Sequence, residues 1–520
     1  MFINKNKSRR KILLYFICLS SSLLFICYYS IINIFQPFIP KVRIQSERKD
    51  PFKKIFISHY TTTYGKRTDS KSKIFNNNLE NICALLDPEE YPYANAVFVS
   101  LIDLVHLPTL PSSNESYRKK YQSQFWLLHT EESPRKSYET VQLNDITDLD
   151  DWFNLTATLK PESDIHIQYN GYRIKPEIIN FLEKKFNKTY PRTNFSQFIL
   201  KKDFVEKTNS FYMKTLANVL SKEINLRQDY HANTCPYTCN TPLSNDLILY
   251  LQPYLKPRNF QMKNRNIVYI AWFVSNCNTH SNREEYVSKL RSQKGIQIDI
   301  FGFCSSLFNS RRLSERCRKG IPNCTLDILT KYRFYLSFEN SKCDTYITEK
   351  YWINGLNQHA VPIVLGASRE QYKRIAVPYS YIHVDDYQSV EQLAEELHRL
   401  NQNDSEYMKY LQWTQLYDVG SDYMPTILYD IHSTLCFLGH YQRLYEMEKV
   451  NQESKYLLEL IRYLFSIKNI TLKNFNWNTA TTKLIKISDF YNPKVNCWDY
   501  DYPSIFKRIW NFFFIWTKLF

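Results

Sequence analysis

The stretch KYRFYLSFENSKCDTYITEKYWINGLNQHAVPIVLGASREQYKRIAVPYSYIHVDD, residues Lys331–Asp386, contains three short apolar runs. They are Phe334–Phe338, Val361–Leu365 and Tyr381–Val384. Each run is too short for a helix and too apolar for a loop that faces solvent. The stretch therefore predicts buried parallel strands and places the chain in the α/β class.

A helix is predicted between the first two runs, opening at Thr348, because threonine is favoured at helix N-caps. Lys350 then lies in the first helical turn, where a cation opposes the helix dipole. An anion such as phosphate, bound between the helix amides and this lysine, would remove that conflict. The alternative is that Lys350 is an exposed lysine with no ligand.

The composition limits the classes of function. The chain has 520 residues, 44% of them hydrophobic, which is enough for two or three domains with full cores. It has 9 glycines, no GxGxxG and no Walker-type loop, so a glycine-cradled dinucleotide or ATP site is disfavoured. The net charge of +16 suits nucleic acid, an anionic membrane or an anionic small molecule.

The N-terminus predicts a membrane anchor. Residues 5–11 include five lysines and arginines. The 24 residues Ile12–Phe35 carry no charge, and a segment of this length can cross a bilayer as a helix. The positive-inside rule then gives a cytoplasmic tail (1–11), a transmembrane segment (12–35) and a lumenal remainder that starts with a stem (36–52). A cleaved signal peptide is the alternative, although no cleavage motif follows the apolar run. A membrane anchor argues against nucleic acid as a partner.

The cysteines indicate disulfides. Ten of the 12 cysteines lie beyond the anchor, and an even number in an exported domain favours pairing. Cys304, Cys317, Cys324 and Cys343 are close in sequence, so we expect them to pair among themselves. Zinc is the alternative, but no second close pair accompanies Cys235 and Cys239.

Strand-like and helix-like segments alternate along the chain, which predicts parallel sheets with both faces covered. The expected domains are 53–262 and 263–445. A long basic insertion near 173–265 carries helical patterns around Asn180–Lys185 and Thr208–Ile224, and its default placement is the surface. The extension 446–520 ends in an aromatic, basic run that either lies along a membrane or packs on the body.

The string FYLSFENSKCDTYITEKYW, continued by AVPIVLGASREQY and IHVDDY, resembles the α-1,3-fucosyltransferase family, glycosyltransferase family 10. FWLLHTEESP at Phe125–Pro134 and SNCNTHSNR at Ser275–Arg283 are similar to two further family landmarks. The resemblance implies a GT-B-like fold, in which two Rossmann-like domains face each other across a cleft. The first domain would bind the acceptor and the second would bind GDP-fucose.

The resemblance also implies roles for individual residues. Glu132 would be the general base, and the donor would be bound by Arg283, Asn340, Tyr346, Glu349 and Lys350. Without the resemblance, Glu132 is a solvated loop acid and Arg283 a surface arginine. Tyr346 is then a core aromatic residue, and Glu349 is a favourable partner of a helix dipole.

The implied reaction is the inverting transfer of L-fucose from GDP-β-L-fucose to the 3-OH of GlcNAc in a glycoprotein or glycolipid glycan. No cofactor and no metal are expected, because the D-x-D match considered as a metal-binding motif, Asp499 to Asp501, lies in the divergent tail. The expected location is the Golgi membrane, with type II orientation. The alternatives are a glycosyltransferase with another donor or acceptor on the same scaffold, or a non-catalytic glycan-binding relative.

Overall fold

The computed structural model describes the following residues: 54–61, 68, 72–106, 123–141, 146–187, 204, 208, 210–234, 242–254, 265–308, 324–356, 360–420, 427–448, 453–468, 470–473 and 475–498. The predicted tail, anchor and stem lie outside these ranges, as do Asp499 and Asp501. Among the described residues, no helix has the length and apolarity that a membrane span needs.

The first sheet has six parallel strands in the order β2-β1-β3-β4-β5-β6. Its strands are β1 Ile55–His59, β2 Cys83–Leu86, β3 Ala96–Ser100, β4 Phe125–His129, β5 Leu155–Thr158 and β6 Ile165–His166. Strands β3, β4 and β5 are buried at every residue. Continuous burial is what helices and loops on both faces of a parallel sheet produce.

The second sheet has five parallel strands in the order β12-β11-β10-β8-β9. Its strands are β8 Val268–Phe273, β9 Ile296–Phe301, β10 Phe334–Phe338, β11 Val361–Leu365 and β12 Ile382–His383. The three apolar runs of the opening stretch thus form β10, β11 and β12 side by side. The predicted α/β fold with parallel sheets is confirmed, while the exact domain boundaries stay a prediction.

Two short antiparallel pairs complete the strands. Strand β7, Gly171–Ile174, pairs with β13, Tyr417–Gly420, and β14, Phe475–Asn476, pairs with β15, Thr481–Thr482. The pair of β7 and β13 joins the segment that follows the first sheet to the segment that follows the second sheet. It is stabilised by a T-shaped contact between Tyr172 and Tyr417, whose ring centroids lie 5.3 Å apart.

The helices cover the two sheets. In chain order they are α1 Pro134–Val141, α2 Pro176–Phe186, α3 Phe211–Thr234, α4 Asn245–Leu251, α5 Arg283–Arg291, α6 Cys324–Leu329, α7 Arg369–Ile375, α8 Val390–Gln402, α9 Asp404–Lys409, α10 Trp413–Leu416, α11 Ile427–Glu448, α12 Glu453–Ile467, α13 Ile487–Phe490 and α14 Pro493–Asn496. A single π-helical turn spans Lys350–Gly355. Helix α11 returns to the first sheet, where a Cβ on its Gly439 would lie 2.7 Å from Ile55.

The insertion is not a surface decoration, which corrects the default placement. Both predicted helices are present as α2 and α3, and α3 packs on α12. The inward face of α3 is fully buried at Met213, Leu216 and Leu220. Burying leucine-sized side chains stabilises a fold by about 1.5–3 kcal/mol each, so this helix belongs to the core.

The disulfides differ from the expected pairing. Cys304 pairs with Cys277, and Cys343 pairs with Cys497, while Cys83 pairs with Cys436. Closeness in sequence was the wrong guide for Cys304 and Cys343, and Cys304 meets Cys277 because the sheet brings the ends of β8 and β9 together. Cys317 lies outside the described residues, as does the side chain of Cys324. The partner of Cys343 comes from the C-terminal extension, 154 residues away.

Candidate active site

The predicted site residues follow the carboxyl ends of strands in both sheets. Glu132 comes after β4, Arg283 after β8, and Asn340 after β10. Strands β8 and β10 are neighbours in the sheet. The strand that follows β8, which is β9, lies on one side of this pair, and the strands that follow β10, which are β11 and β12, lie on the other side. Ligands of open α/β sheets bind in the crevice at this kind of topological switch point, so the positions of Arg283 and Asn340 suit a ligand site.

Glu132 lies where the two sheets meet. Its carboxylate Oε2 accepts a hydrogen bond of 2.8 Å from the hydroxyl of Tyr346, which lies between β10 and β11. The next residue, Ser133, donates to Ser341 over 3.0 Å and also accepts from the amide of Lys136 in α1. These contacts join the start of α1 to the loop after β10 and bring two of the predicted residues together.

A second tyrosine holds the backbone of Glu132. Tyr491 lies in the C-terminal extension, and its buried hydroxyl donates to the Glu132 carbonyl oxygen. Tyr169 makes a similar bond of 3.2 Å to the carbonyl oxygen of Glu131. Burial, followed by repulsion from Glu132, raises the pKa of Tyr346 and of Tyr491 above the usual tyrosine range. Both hydroxyls therefore stay protonated and act as hydrogen-bond donors.

Lys350 forms an ion pair with the buried carboxylate of Glu339, which the sequence did not reveal. Its ammonium lies 3.0 Å from the carboxylate of Glu339 and 3.1 Å from that of Glu349. Burial lowers the pKa of Lys350, but the attraction of Glu339 and Glu349 outweighs it, so the net pKa is raised. The lysine is thus charged and held in a fixed position.

Glu339 organises the turn before Lys350. It is fully buried and accepts 2.8 Å hydrogen bonds from both the amide and the hydroxyl of Thr348. The helix predicted to open at Thr348 is the single π-helical turn Lys350–Gly355, and the Thr348 carbonyl accepts 3.1 Å hydrogen bonds from the amides of Tyr351 and Trp352 at its start. Burial raises the pKa of Glu339, while Lys350 opposes this shift.

Gly366 leaves room for the Glu339 side chain. A Cβ at Gly366 would lie 2.7 Å from Cγ and 2.9 Å from Cβ of Glu339. Real Cβ atoms essentially never approach carbon that closely. The glycine after β11 is therefore required for the buried ion pair that β10 carries.

Arg283 is buried, with 3% of its surface exposed. Its guanidinium donates to the carbonyl oxygens of Phe338 at 2.6 Å and Asn276 at 2.9 Å, and it also contacts Glu284. These bonds fix the guanidinium between the ends of β8 and β10. Its predicted contact with a donor pyrophosphate stays a prediction.

The other two predicted donor residues border the same loop. The side-chain oxygen of Asn340 is buried and has no hydrogen-bond partner among the described residues. A buried unpaired acceptor costs free energy, so this atom suits a ligand that donates a hydrogen bond. Glu349 is 42% exposed and contacts Lys350, so its carboxylate is accessible to a ligand hydroxyl.

Sequence reasoning missed Glu339, Tyr169 and Tyr491. An acid directly after a buried strand was the available signal for Glu339. Tyr169 follows β6 and occupies the carboxyl edge of the first sheet, as Glu132 does. Tyr491 had no local signal, because its relation to Glu132 arises only from the path of the C-terminal extension.

Two cavities lie beside this cluster. One of about 200 Å³ is bordered by Gln168 and Arg374, and one of about 320 Å³ by Lys175 and Trp413. Tyr169 and Trp352 line both cavities, whereas Glu132 and Lys350 line neither. The cavities therefore flank the Glu132 cluster on the side of Tyr169.

Among the described residues, one group has the geometry of a metal site: Cys83, Cys436 and His440. Its two sulfurs form a disulfide, so they are not available as thiolate ligands. The expectation that no metal is required stays a prediction.

The chain is similar to known fucosyltransferases. "Alpha-(1,3)-fucosyltransferase fut-1" of Caenorhabditis elegans is 34% identical over 42% of this chain and 49% of that protein. "Glycoprotein 3-alpha-L-fucosyltransferase A" of Drosophila melanogaster is 43% identical over 28% of this chain and 27% of that protein. The chain thus spans about half or less of the length of these curated relatives. The match to a crystal structure of an alpha1,3-fucosyltransferase with GDP covers 69% of this chain and 81% of that chain, at 17% identity and a TM-score of 0.33.

Two family models match the sequence. "Fucosyltransferase, N-terminal" matches residues 51–170, and "Glycosyltransferase family 10 (fucosyltransferase) C-term" matches residues 261–456. Together they cover more than half of the chain and contain both parallel sheets. The chain belongs to glycosyltransferase family 10, the fucosyltransferase family.

Proposed function

We propose that the protein is an α-1,3-fucosyltransferase that moves L-fucose from GDP-β-L-fucose to the 3-OH of GlcNAc in a glycoprotein or glycolipid glycan. One observation carries the proposal: the carboxylate of Glu132, from the first sheet, is hydrogen-bonded to Tyr346 in the loop that leads to Lys350. A base and a fixed cation are what this transfer requires. The fly and worm relatives are both named as 3-fucosyltransferases, which supports the choice of sugar and linkage.

The proposed reaction is a single displacement. Glu132 takes the proton from the acceptor hydroxyl, and that oxygen forms a bond to the anomeric carbon of fucose. The bond from this carbon to the diphosphate oxygen breaks on the opposite face, and GDP leaves with the electron pair. A β-linked donor therefore gives an α-linked product. This requires a GT-B-like arrangement, in which the acceptor reaches the donor across the cleft between the two sheets.

We assign charge stabilisation of the departing diphosphate to Lys350 and Arg283. The ammonium of Lys350 has three N–H donors, which Thr348, Glu339 and Glu349 now occupy. When Glu349 accepts hydrogen bonds from the donor ribose, one N–H of Lys350 is released for phosphate. Such cationic donors act most strongly where charge develops in the transition state. On this proposal, neither a metal nor a cofactor takes part.

The same proposal locates the enzyme in the Golgi membrane as a single-pass type II protein with a lumenal catalytic part. It rests on the basic residues 5–11 and the uncharged segment 12–35. The acceptor would be a GlcNAc-containing glycan. Nucleic acid is excluded as a partner on this topology.

The experiment is to incubate the full-length chain with GDP-fucose, EDTA and a glycan array, beside other sugar nucleotides. We expect fucose transfer to GlcNAc-containing glycans. Glu132→Gln should bind GDP-fucose normally and transfer none. The matched control is Glu131→Gln, which changes the adjacent carboxylate and should retain transfer. Transfer from another sugar nucleotide but not from GDP-fucose would refute the proposal, and normal transfer by Glu132→Gln would remove Glu132 as the base.

A further inference from the structure

The C-terminal extension crosses the site. We name its last described part, Ile485–Trp498, the C-terminal bridge. It lies beyond both family-model matches, which end at residues 170 and 456. The bridge contains α13 and α14, and its side chains Ile487 and Tyr491 are buried. It is thus a packed part of the body and not a solvent-exposed tail.

One end of the bridge is fixed to the first sheet. Ile485 forms an antiparallel bridge with Phe153, just before β5: its amide donates to the Phe153 carbonyl at 2.8 Å, and its carbonyl accepts from the amide of Asp151 at 3.1 Å. Ser488 then donates from its amide and its hydroxyl to the carboxylate of Asp150, at 2.8 and 2.6 Å. Lys160 donates to the carbonyl of Phe490 over 2.7 Å. Five hydrogen bonds therefore position the chain just before Tyr491.

The other end is fixed to the second sheet. Cys497 forms a disulfide with Cys343, in the loop after β10. Backbone bonds flank the disulfide, from Asp344 to Asn496 at 2.8 Å and from Trp498 to Lys342 at 3.0 Å. Tyr346 lies three residues beyond Cys343. The bridge therefore spans from one sheet to the other and passes Glu132 between its two anchors.

Glu132 is consequently held through its side-chain carboxylate and through its backbone carbonyl. Tyr346 donates to the carboxylate, and Tyr491 donates to the backbone carbonyl. The carbonyl bond fixes the peptide plane between Glu132 and Ser133, and with it the direction in which the Glu132 side chain leaves the backbone. A base misplaced by about 1 Å can lose a factor on the order of 100 in rate.

We propose that Tyr491 is a positioning residue for Glu132, and that the C-terminal bridge is a third component of the catalytic site beside the two sheets. The inference rests on the proposed function, because it assigns Glu132 the role of base. Tyr491 touches neither substrate in this account. Its effect is exerted through the carbonyl of Glu132.

The test is Tyr491→Phe in the full-length chain, which keeps the ring and removes only the hydroxyl. We expect kcat to fall about tenfold or more, with the KM for GDP-fucose unchanged within about twofold. The acid limb of the kcat profile should stay in place, because the lost bond is to a carbonyl. A purely structural role for Tyr491 would lower the melting temperature and leave kcat unchanged.

The matched control is Tyr407→Phe, which also removes a buried hydroxyl that donates to a backbone carbonyl, that of Arg333 at 2.7 Å. It should leave kcat and KM unchanged. If Tyr491→Phe does not fold, Lys160→Met removes the bond to the Phe490 carbonyl instead and should lower kcat in the same pattern. If a folded Tyr491→Phe or Lys160→Met variant keeps the wild-type kcat, the role of Tyr491 is refuted while the proposed function still stands. A wild-type chain that transfers no fucose overturns the proposed function and the inference with it.

Discussion

The carboxylate of Glu339 is fully buried, yet it is paired with Lys350 and hydrogen-bonded twice to Thr348. Burying this charge costs several kcal/mol, which its attraction to Lys350 and the further hydrogen bonds must offset. Such a pair is weak support for stability but a strong constraint on geometry. At Glu339 the constraint sets where the π-helical turn begins and where the Lys350 ammonium lies.

Glu339→Gln tests this constraint. The amide keeps the shape of the side chain but removes its charge, so Lys350 is left with less compensation. We expect the free energy of unfolding to fall by roughly 1–3 kcal/mol, measured by chemical denaturation. The control is Glu370→Gln, in the exposed pair with Lys373, which should change stability little. Equal losses in the two variants would contradict the assignment.

Gly366→Ala tests the space reserved for Glu339. The added Cβ would lie 2.7 Å from Glu339 Cγ, so the side chain or β11 must shift. We expect a loss of about 1–3 kcal/mol in stability and a weaker affinity for GDP-fucose, measured by calorimetry. Gly420→Ala is the control, because its nearest contact would be an ordinary 3.7 Å to Asn170. An unchanged affinity in Gly366→Ala would show that the Glu339 position does not matter for the donor.

At the scale of elements, α3 shows how a helix can be predicted and still be misplaced. Met213, Leu216, Leu220 and Ile224 follow helical spacing and are all buried. That stripe indicates an amphipathic helix, but it does not say which surface receives the apolar face. The receiving surface is α12, which lies more than 200 residues further along the chain.

Leu220→Ala measures the contribution of α3 to the core. Leu220 is fully buried, so the loss of its side chain should cost about 2–5 kcal/mol. Leu226 in the same helix is 54% exposed, so Leu226→Ala is the matched control and should cost little. Thermal and chemical unfolding of both variants would check this. Similar small effects at both positions would mean that α3 is a surface element after all.

At the scale of the whole molecule, α11 joins the C-terminal half of the chain to the first sheet and buries two histidines. His440 is satisfied as a neutral ring, because one nitrogen is paired with the Tyr212 hydroxyl and the other with the Ile82 carbonyl. His432 makes a 2.6 Å contact with His59. Burial, the largest cause in each case, lowers the pKa of His432 to about 4 and that of His440 to about 3.

These pKa shifts predict that acid destabilises the folded protein. In the unfolded chain both histidines have the ordinary pKa of 6.5, so between pH 6.5 and about 4 the unfolded state binds more protons than the folded state. Stability is therefore fully present above pH 6.5 and is lost as the pH falls, by roughly 3 kcal/mol for each histidine. Unfolding measured from pH 7 to pH 4 should show this loss.

His440→Gln should reduce the slope of stability against pH, because glutamine can keep both hydrogen bonds without taking up a proton. His398→Gln is the control, since the His398 ring bonds the Lys294 carbonyl in an exposed setting. The slope should not change in that variant. An unaltered slope in His440→Gln would show that this histidine is not among the groups that set the acid limit.

The sequence by itself determined the α/β class, the three strands of the opening stretch, the helices of the insertion and the family. These features depend on local apolar runs and on motifs with fixed spacing, and both are visible along the chain. The roles of Glu132 and Lys350 were also proposed from such motifs. The contact of Glu132 with Tyr346 was not, since the two residues follow strands of different sheets.

Only the tertiary structure decided the pairing of Cys343 with Cys497, the ion pair of Glu339, and the contact of Tyr491 with Glu132. It also showed that Asn154 is buried, with its side-chain amide bonded to the backbone of Trp126 and Gln124, although Asn154-Leu155-Thr156 has the N-x-T pattern of a glycosylation acceptor. Each of these depends on segments that meet only after the sheets have formed. The physical reason is that burial and long-range contact are properties of the packed chain, and a local pattern carries no record of what will pack against it.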